Sequence, residues 1–311
     1  MIKHFIFQNR INSFNFHQKM QIKTLLKPTG SFPVGHIDME FINPNDINST
    51  ILTRVFYPSS SNNSINTNYD TWIPSLSYYG GYGKVYNLPT FISKPSMRLI
   101  IGDLRLNSTY GLPILNERQQ LPILIFSHGL YGNRTTYSMI CTEFASHGWL
   151  VFSVEHHDGS ASHSFVKGKP LDFLKVPKNE NEFETRNKQL EQRTNECLGL
   201  IEILKRLNSG DYNESTVNLL NDLKSHKEKN KTILINEFFK AKLDFDSVII
   251  AGHSFGGATA IRVSQCMDIF KCVLAYDPYM FPIESTMLNE PKRSVPTFIS
   301  NSANFQWKES F

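Results

Sequence analysis

The sequence is poor in cysteine: Cys141, Cys197, Cys266 and Cys272 are the only four in 311 residues, too few and too scattered for a disulfide framework. None stands in a C-x-x-C or zinc-ligand spacing, so they read as buried thiols suited to a reducing compartment. No apolar run reaches the roughly 18 residues that a transmembrane helix needs. A secretory h-region is missing too, since Phe5 to Phe7 is all that separates Lys3 from Gln8, Asn9 and Arg10. The expectation is a cytoplasmic protein whose membrane association, if any, is peripheral. Acidic residues are absent before Asp38, while Lys3, Arg10, Lys19, Lys23 and Lys27 are basic. A single arginine among many asparagines makes a poor mitochondrial presequence. Residues 1–27 read instead as a disordered extension, or as an over-long gene start ahead of Met20. Charge of one sign is also scarce: 32 basic against 28 acidic residues leave a net +4, which does not argue for a nucleic-acid partner.

What is present is ordinary globular chemistry, 40% hydrophobic and 19% charged. Val34 to Phe41 and Ile51 to Tyr57 flank the turn-forming Asn43-Pro44-Asn45-Asp46 and predict a hairpin. The Ser/Asn-rich tract 58–69 reads as a surface loop. From residue 121 short apolar runs alternate with helical stretches. Leu121 to Phe126, Trp149 to Val154, Val248 to Ala251, Cys272 to Tyr276 and Val295 to Ile299 read as strands. Thr135 to Ala145, Phe183 to Leu207 and Gly256 to Met267 read as helices. The second of these carries Leu190, Cys197, Ile201 and Leu204 on one stripe. Unbroken apolar runs imply strands buried on both faces, and the alternation implies an α/β fold, a mostly parallel sheet with helices on both sides. Sites in such sheets lie beyond the carboxyl ends of the strands.

One such end carries Gly252-His253-Ser254-Phe255-Gly256-Gly257-Ala258, a G-x-S-x-G between a predicted strand and a predicted helix. A sharp strand-to-helix turn holds a serine hydroxyl clear of the sheet. Gly252 and Gly256 supply the clearance such a turn needs. Ser254 is the candidate nucleophile, and the amide of Phe255, at a helix N-terminus, is a candidate oxyanion donor. A second donor is expected from an earlier strand-to-loop junction. Ser127-His128-Gly129-Leu130-Tyr131-Gly132 occupies that place, with the Leu130 amide as candidate. Asp277, closing the next strand before Pro278, is the candidate acid of the triad. Stabilisation by amides requires no metal and no cofactor. Glu155-His156-His157-Asp158 lacks a ligand spacing and reads as hydrogen-bonding rather than metal-binding.

A serine nucleophile needs an imidazole base, and in this fold class the order is serine, acid, histidine. All ten histidines stand at or before His253, so none follows Asp277. His253 itself flanks the elbow and is expected to point away from the serine oxygen. The expectation is a chain incomplete at its C-terminal end, with residues 28–311 forming one catalytic domain and the triad histidine absent from it.

The residues quoted resemble a family. Phe126 to Leu130, Ser146-His147-Gly148, Val154-Glu155-His156, Asp158 to Ala161, Gly252 to Ala258 and Asp277 to Pro282 are similar to the platelet-activating-factor acetylhydrolases of the plasma and intracellular type II kind, the lipoprotein-associated phospholipase A2 family. Pro28-Thr29-Gly30, Trp72-Ile73-Pro74, Arg186-Asn187 through Arg193 to Cys197, and Phe298 to Ser302 extend the likeness. It implies an α/β-hydrolase fold. It also implies a calcium-independent phospholipase that removes short sn-2 acyl groups, including the acetyl group of platelet-activating factor. Carried over by position, Ser254 is the nucleophile, Asp277 the acid, and Leu130 and Phe255 the oxyanion amides. The family's histidine lies downstream of the segment matched by Phe305-Gln306.

A phospholipid partner implies contact with a lipid surface. Met97, Ile100, Ile101 and Leu104 recur at helical spacing and are the candidate interface, against a plain core helix as the alternative. Tyr78 to Gly83 reads as a flexible surface loop. Two other functions share the same residues: a serine esterase on other short acyl esters, and a non-catalytic lipid-binding protein.

Overall fold

The chain runs β1 (Val34–Asn43), β2 (Asp46–Pro58), α1 (Leu76–Val85), α2 (Thr90–Ile101), β3 (Thr109–Tyr110), β4 (Leu121–Ser127), α3 (Ser138–Ser146) and β5 (Leu150–Glu155). It continues through β6 (His163–Val166), β7 (Lys169–Asp172), α4 (Glu182–Ser209), β8 (Val217–Leu219), α5 (Ile235–Phe239), β9 (Leu243–His253), α6 (Phe255–Ser264), β10 (Phe270–Tyr276) and β11 (Thr297–Ser300). The computed structural model describes residues 24–60, 70–116, 120–177, 179–212, 217–219, 235–283, 293–303 and 305.

Among the described residues one sheet has the order β11-β10-β9-β4-β5-β2-β1-β3, with β8 also paired to β1. The five strands from β11 to β5 are parallel. The β1–β2 hairpin joins them through an antiparallel β2–β5 pair. From β4 the chain proceeds to β5 on one side, and from β9 to β10 on the other. The crevice where ligands bind such sheets therefore opens between the carboxyl ends of β4 and β9.

The unbroken apolar run of β4 has a simple cause. Ile123 and Ile125 face a cluster that includes Cys197, Leu200, Ile201 and Leu204 of α4. Leu124 and Phe126 face the opposite cluster, with Cys141 and Ala145 of α3. Each such large side chain contributes about 1.5–3 kcal/mol by leaving water. The long α4 is bounded at both ends by its sequence. The Asn181 side chain accepts from the amides of Phe183 and Glu184, and Gly210 ends the helix at φ 82°.

The structure departs from the sequence reading in three places. Tyr78 to Gly83 is the middle of α1, not a loop, and Tyr78, Tyr79 and Tyr82 are buried. Its glycines serve close approach: a Cβ on Gly81 would lie 2.5 Å from the Ser162 carbonyl oxygen, and one on Gly83 2.0 Å from Ser93 Cβ. Secondly, α2 is a helix, but its exposed side is not the expected one. Met97 and Ile101 pack inward against the tyrosines of α1. Leu104 lies past the helix end, where its carbonyl accepts from the Trp72 amide. Of the expected set Ile100 is outward, and Phe91 and Leu99 are 80% and 71% exposed. Thirdly, packing begins before Pro28: the Leu25 amide donates to the Arg105 carbonyl at 2.8 Å. Residues 1–23 of the expected extension, and 61–69 of the expected loop, lie outside the described residues.

Candidate active site

Ser254 is the single residue between β9 and α6, at φ 56° and ψ −118°. A non-glycine residue in that region costs about 1–3 kcal/mol, so its surroundings must hold it there. They do so through the backbone. The Ser254 amide donates to the Tyr276 carbonyl at 2.9 Å, and the Ser254 carbonyl accepts from Gly257 and Tyr279, each at 2.9 Å. Both elbow glycines are required sterically. A Cβ on Gly252 would sit 2.1 Å from the Gly256 carbonyl oxygen, and one on Gly256 2.0 Å from that of Ser127. Phe255, the first residue of α6, has an amide that no preceding helical turn can accept from.

The loop after β4 runs directly against this elbow. A Cβ on Gly129 would lie 3.0 Å from the His253 carbonyl oxygen and 3.1 Å from Ser254 Cβ. The loop closes through Gly132 N–H to Gly129 O at 3.0 Å, and Tyr131, at φ 63°, donates its amide to the Ser160 carbonyl at 2.9 Å. Leu130 packs in the same apolar cluster as Phe255, Ala258 and Leu190. The two candidate amide donors thus belong to one packed unit.

Asp277 follows β10 at φ 45°, and its amide donates to the Ser300 carbonyl at 2.8 Å. Its carboxylate accepts from the Ser302 amide at 2.5 Å and the Ser302 hydroxyl at 3.1 Å. His253 Nε2 lies 3.7 Å from Asp277 Oδ2, while His253 Nδ1 and the Tyr137 hydroxyl are 2.7 Å apart. Burial holds the His253 imidazole below its ordinary pKa, against the Asp277 charge. Tyr276, just before Asp277, and Tyr279, two residues after it, are the ones that bond the Ser254 backbone. Ser254, Phe255, Leu130 and Asp277 are therefore brought together at the ends of β4, β9 and β10.

Beneath them lies a buried polar floor that motif reading did not find. Arg193 of α4 donates from Nε to Asp158 Oδ2 at 2.7 Å and from Nη1 to the His128 carbonyl at 2.7 Å, and it bonds the Ser160 hydroxyl. Its guanidinium carbon sits 4.2 Å from the Phe255 ring centroid. One side chain thus braces both halves of the candidate oxyanion hole. Burial works to raise the Asp158 carboxyl, but the Arg193 charge and the hydrogen bonds from Arg193 and Ser160 together outweigh it and hold the group below its ordinary value. Beside it, Glu196 Oε2 and His156 Nδ1 are 2.7 Å apart, and His156 Nε2 meets the Ser127 hydroxyl at 2.7 Å. Burial pushes Glu196 up to about 8 and His156 well below its ordinary value. His128, bonded through Nε2 by the His156 amide at 3.1 Å, is lowered to about 4, mainly by burial.

The segment Glu155 to Asp158 is dispersed among different partners. Glu155 accepts from Arg134, Tyr78 and Ser164, His157 Nδ1 meets the Thr50 carbonyl, and Asp158 belongs to Arg193. The signal for Arg193 and Glu196 was available in the sequence: polar residues at positions 186, 189, 193 and 196 share the inward face of α4 with Leu190 and Cys197.

Among solved structures, a ferulic acid esterase from Streptomyces cinnamoneus superposes with a TM-score of 0.56 at 16% identity, covering 90% of this chain and 68% of that one. That likeness, with the mostly parallel sheet, identifies the fold as α/β-hydrolase. The sequence is 33% identical over 288 residues to the platelet-activating factor acetylhydrolase of Bos taurus, covering 89% of this chain and 60% of that protein. It is 29% identical over 316 residues to the platelet-activating factor acetylhydrolase of Canis lupus familiaris, covering 97% and 65%. A putative phospholipase A2 of Schizosaccharomyces pombe matches at 25% over 321 residues. The chain spans 60% and 65% of the length of the two mammalian relatives. The family model described as platelet-activating factor acetylhydrolase, isoform II, matches residues 16–311, and the chain belongs to that family.

Proposed function

We propose that the protein is a serine esterase that hydrolyses the sn-2 acetyl or short acyl ester of platelet-activating factor and related glycerophospholipids. The observation that carries this reading is the strained Ser254, clamped between Gly252 and Gly256 and pressed against Gly129 of the loop after β4. Ser254 Oγ attacks the ester carbonyl. The negative charge that develops on the carbonyl oxygen is met by the amides of Leu130 and Phe255, each such donor being worth about 10²–10³ in turnover. The lysophospholipid leaves and water releases the acyl group from Ser254. Asp277 is the acid that orients the imidazole base. Among the described residues the imidazole beside Asp277 is that of His253, whose Nδ1 is already engaged by Tyr137. His253 is read as a support for the acid, and the proton acceptor lies outside the described residues.

A lipid substrate is reached at a surface. Among the described residues no helix is long and apolar enough to cross a membrane. The outward side of α2 carries Phe91, Ile92, Leu99 and Ile100, and these replace Met97, Ile101 and Leu104 as the residues that meet lipid.

A fluorophosphonate probe applied to the full-length gene product tests the nucleophile. Mass spectrometry should find the adduct on Ser254, and Ser254→Ala should remove both the adduct and the release of acetate from platelet-activating factor. An adduct elsewhere, or acetate release that survives the substitution, would overturn the reading.

A further inference from the structure

A cavity of about 440 Å³ opens against the loop after β4, lined in part by Tyr131, Phe173, Lys175, Glu180, Glu182 and Arg186. It adjoins the candidate oxyanion loop directly, because Tyr131 follows Leu130. Tyr279, whose amide bonds the Ser254 carbonyl, lies within electrostatic reach of Glu182, Arg186 and Tyr131 of the lining.

Its chemistry is specific. Arg186 is 5% exposed, and its Nε is a buried donor with no hydrogen-bond partner among the described residues. Nη1 is spent on Gln189 Oε1 at 2.8 Å, and the Glu182 carboxylate stands off from Nε at 3.6 Å. A buried guanidinium N–H left unmatched calls for a strong acceptor, and a phosphate oxygen is the one it suits best. Close by, the rings of Tyr131 and Phe173 lie 4.6 Å apart, inclined at 49°, with Tyr131 39% exposed. Two aromatic faces beside carboxylates are a seat for a quaternary ammonium group. The lining charges balance, Lys175 and Arg186 against Glu180 and Glu182. A simple anion site would carry an excess of bases.

We propose that this cavity holds the zwitterionic headgroup of the lipid, with its phosphate on Arg186 and its quaternary ammonium against Tyr131 and Phe173. The assignment rests on the phospholipid-esterase reading. In that reading only the glycerol carbons and their ester oxygens separate the phosphate from the carbonyl that Ser254 attacks.

Binding can be measured apart from hydrolysis. Phosphocholine, choline and inorganic phosphate are titrated separately into the full-length protein and followed by NMR. Phosphocholine should saturate in about the millimolar range, and each half alone should bind at least about fivefold more weakly. Arg186→Gln should weaken phosphocholine about tenfold or more and leave choline unchanged. Tyr131→Ala, which removes a 39%-exposed ring and keeps the amide that donates to Ser160, should weaken phosphocholine and choline but not phosphate. The proposal is overturned if wild-type protein shows no saturable phosphocholine binding, if phosphate alone binds as tightly as phosphocholine, or if Tyr131→Ala binds all three as wild type does. Hydrolysis of p-nitrophenyl acetate, which has no headgroup, is measured on the same samples. Ester cleavage without phosphocholine binding sinks the headgroup site and spares the esterase. Phosphocholine binding without cleavage does the reverse.

Discussion

Replacing Glu196 by Gln tests whether the floor of the site keeps a proton at neutral pH. Glu196 and His156 face each other at 2.7 Å, both buried. Burial raises the carboxyl from 4.5 to about 8 and drives the imidazole well below 6.5. The folded pair therefore holds one proton from acid pH up to about 8. In the unfolded chain the same two groups hold two protons below about 4.5, one up to about 6.5 and none above. The counts agree between those two values. Between about 6.5 and 8 the folded state holds one more proton than the unfolded, and stability falls as pH rises. At about 1.4 kcal/mol per pH unit the loss across that window is about 2 kcal/mol. Below about 4.5 the sign reverses, because the unfolded chain takes up a second proton that the buried imidazole refuses. Glu196→Gln removes the acid and leaves His156 to titrate alone, so the variant gains stability toward pH 6.5 and is level above it. Urea unfolding of both proteins at intervals from pH 6 to 8.5 measures the difference. Above pH 6.5 His36, His128, His157 and His253, each held below its ordinary value, are neutral in both states and do not contribute to the difference. A wild-type-minus-variant difference that stays flat from pH 6.5 to 8 would refute the reasoning.

Gly256→Ala places a Cβ 2.0 Å from the Ser127 carbonyl oxygen, so it should cost about 1–3 kcal/mol in urea unfolding and slow fluorophosphonate labelling of Ser254. Unchanged values for both would mean that the elbow and the loop after β4 are not in contact. Arg193→Met strands the buried Asp158 carboxylate and should cost about 3–5 kcal/mol. Arg193→Lys keeps the charge without the fork or the plane over Phe255. It should restore most of the stability while kcat stays low and KM is unchanged, and full recovery of kcat would reduce Arg193 to a packing residue. Phe91→Asp with Leu99→Asp should weaken binding to phosphatidylcholine vesicles with no change in Tm. Met97→Glu with Ile101→Glu should lower Tm instead, since those side chains pack on the tyrosines of α1. The opposite pattern would return the lipid contact to the inner face.

The strands and the elbow were legible because each obeys a local rule. A strand covered on both faces is apolar over most of its length, which makes β4 and β5 visible as runs. A serine forced to positive φ between two crowded backbones needs glycine on both sides, which makes Ser254 visible as a motif. The hairpin of β1 and β2 was visible through its turn residues. The helix α1 was not, because three of its ten residues are glycine and propensity argues against it. There the close approach of Ser93 and Ser162 and the burial of three tyrosines outweigh propensity, and both depend on elements distant in sequence. The side that α2 turns outward was hidden for the same reason: its spacing allows two apolar sides, and which one is covered depends on α1.

The floor of the site is the intermediate case. Arg186, Gln189, Arg193 and Glu196 interrupt an otherwise apolar inward stripe of α4 at spacings of three and four, and a charge on such a stripe requires a buried partner. The sequence even holds the partner for Arg193, since Asp158 follows the buried β5 and has no solvent to face. Periodicity therefore demands the ion pair. It does not reveal that the remaining guanidinium donor reaches the His128 carbonyl or that its plane covers Phe255, because both follow from the path of two loops. Those two contacts are the ones that couple α4 to the candidate oxyanion amides. A motif can thus locate the candidate nucleophile from seven consecutive residues, while the group that braces the candidate oxyanion hole sits on a helix some sixty residues earlier and announces itself only as a charge out of place.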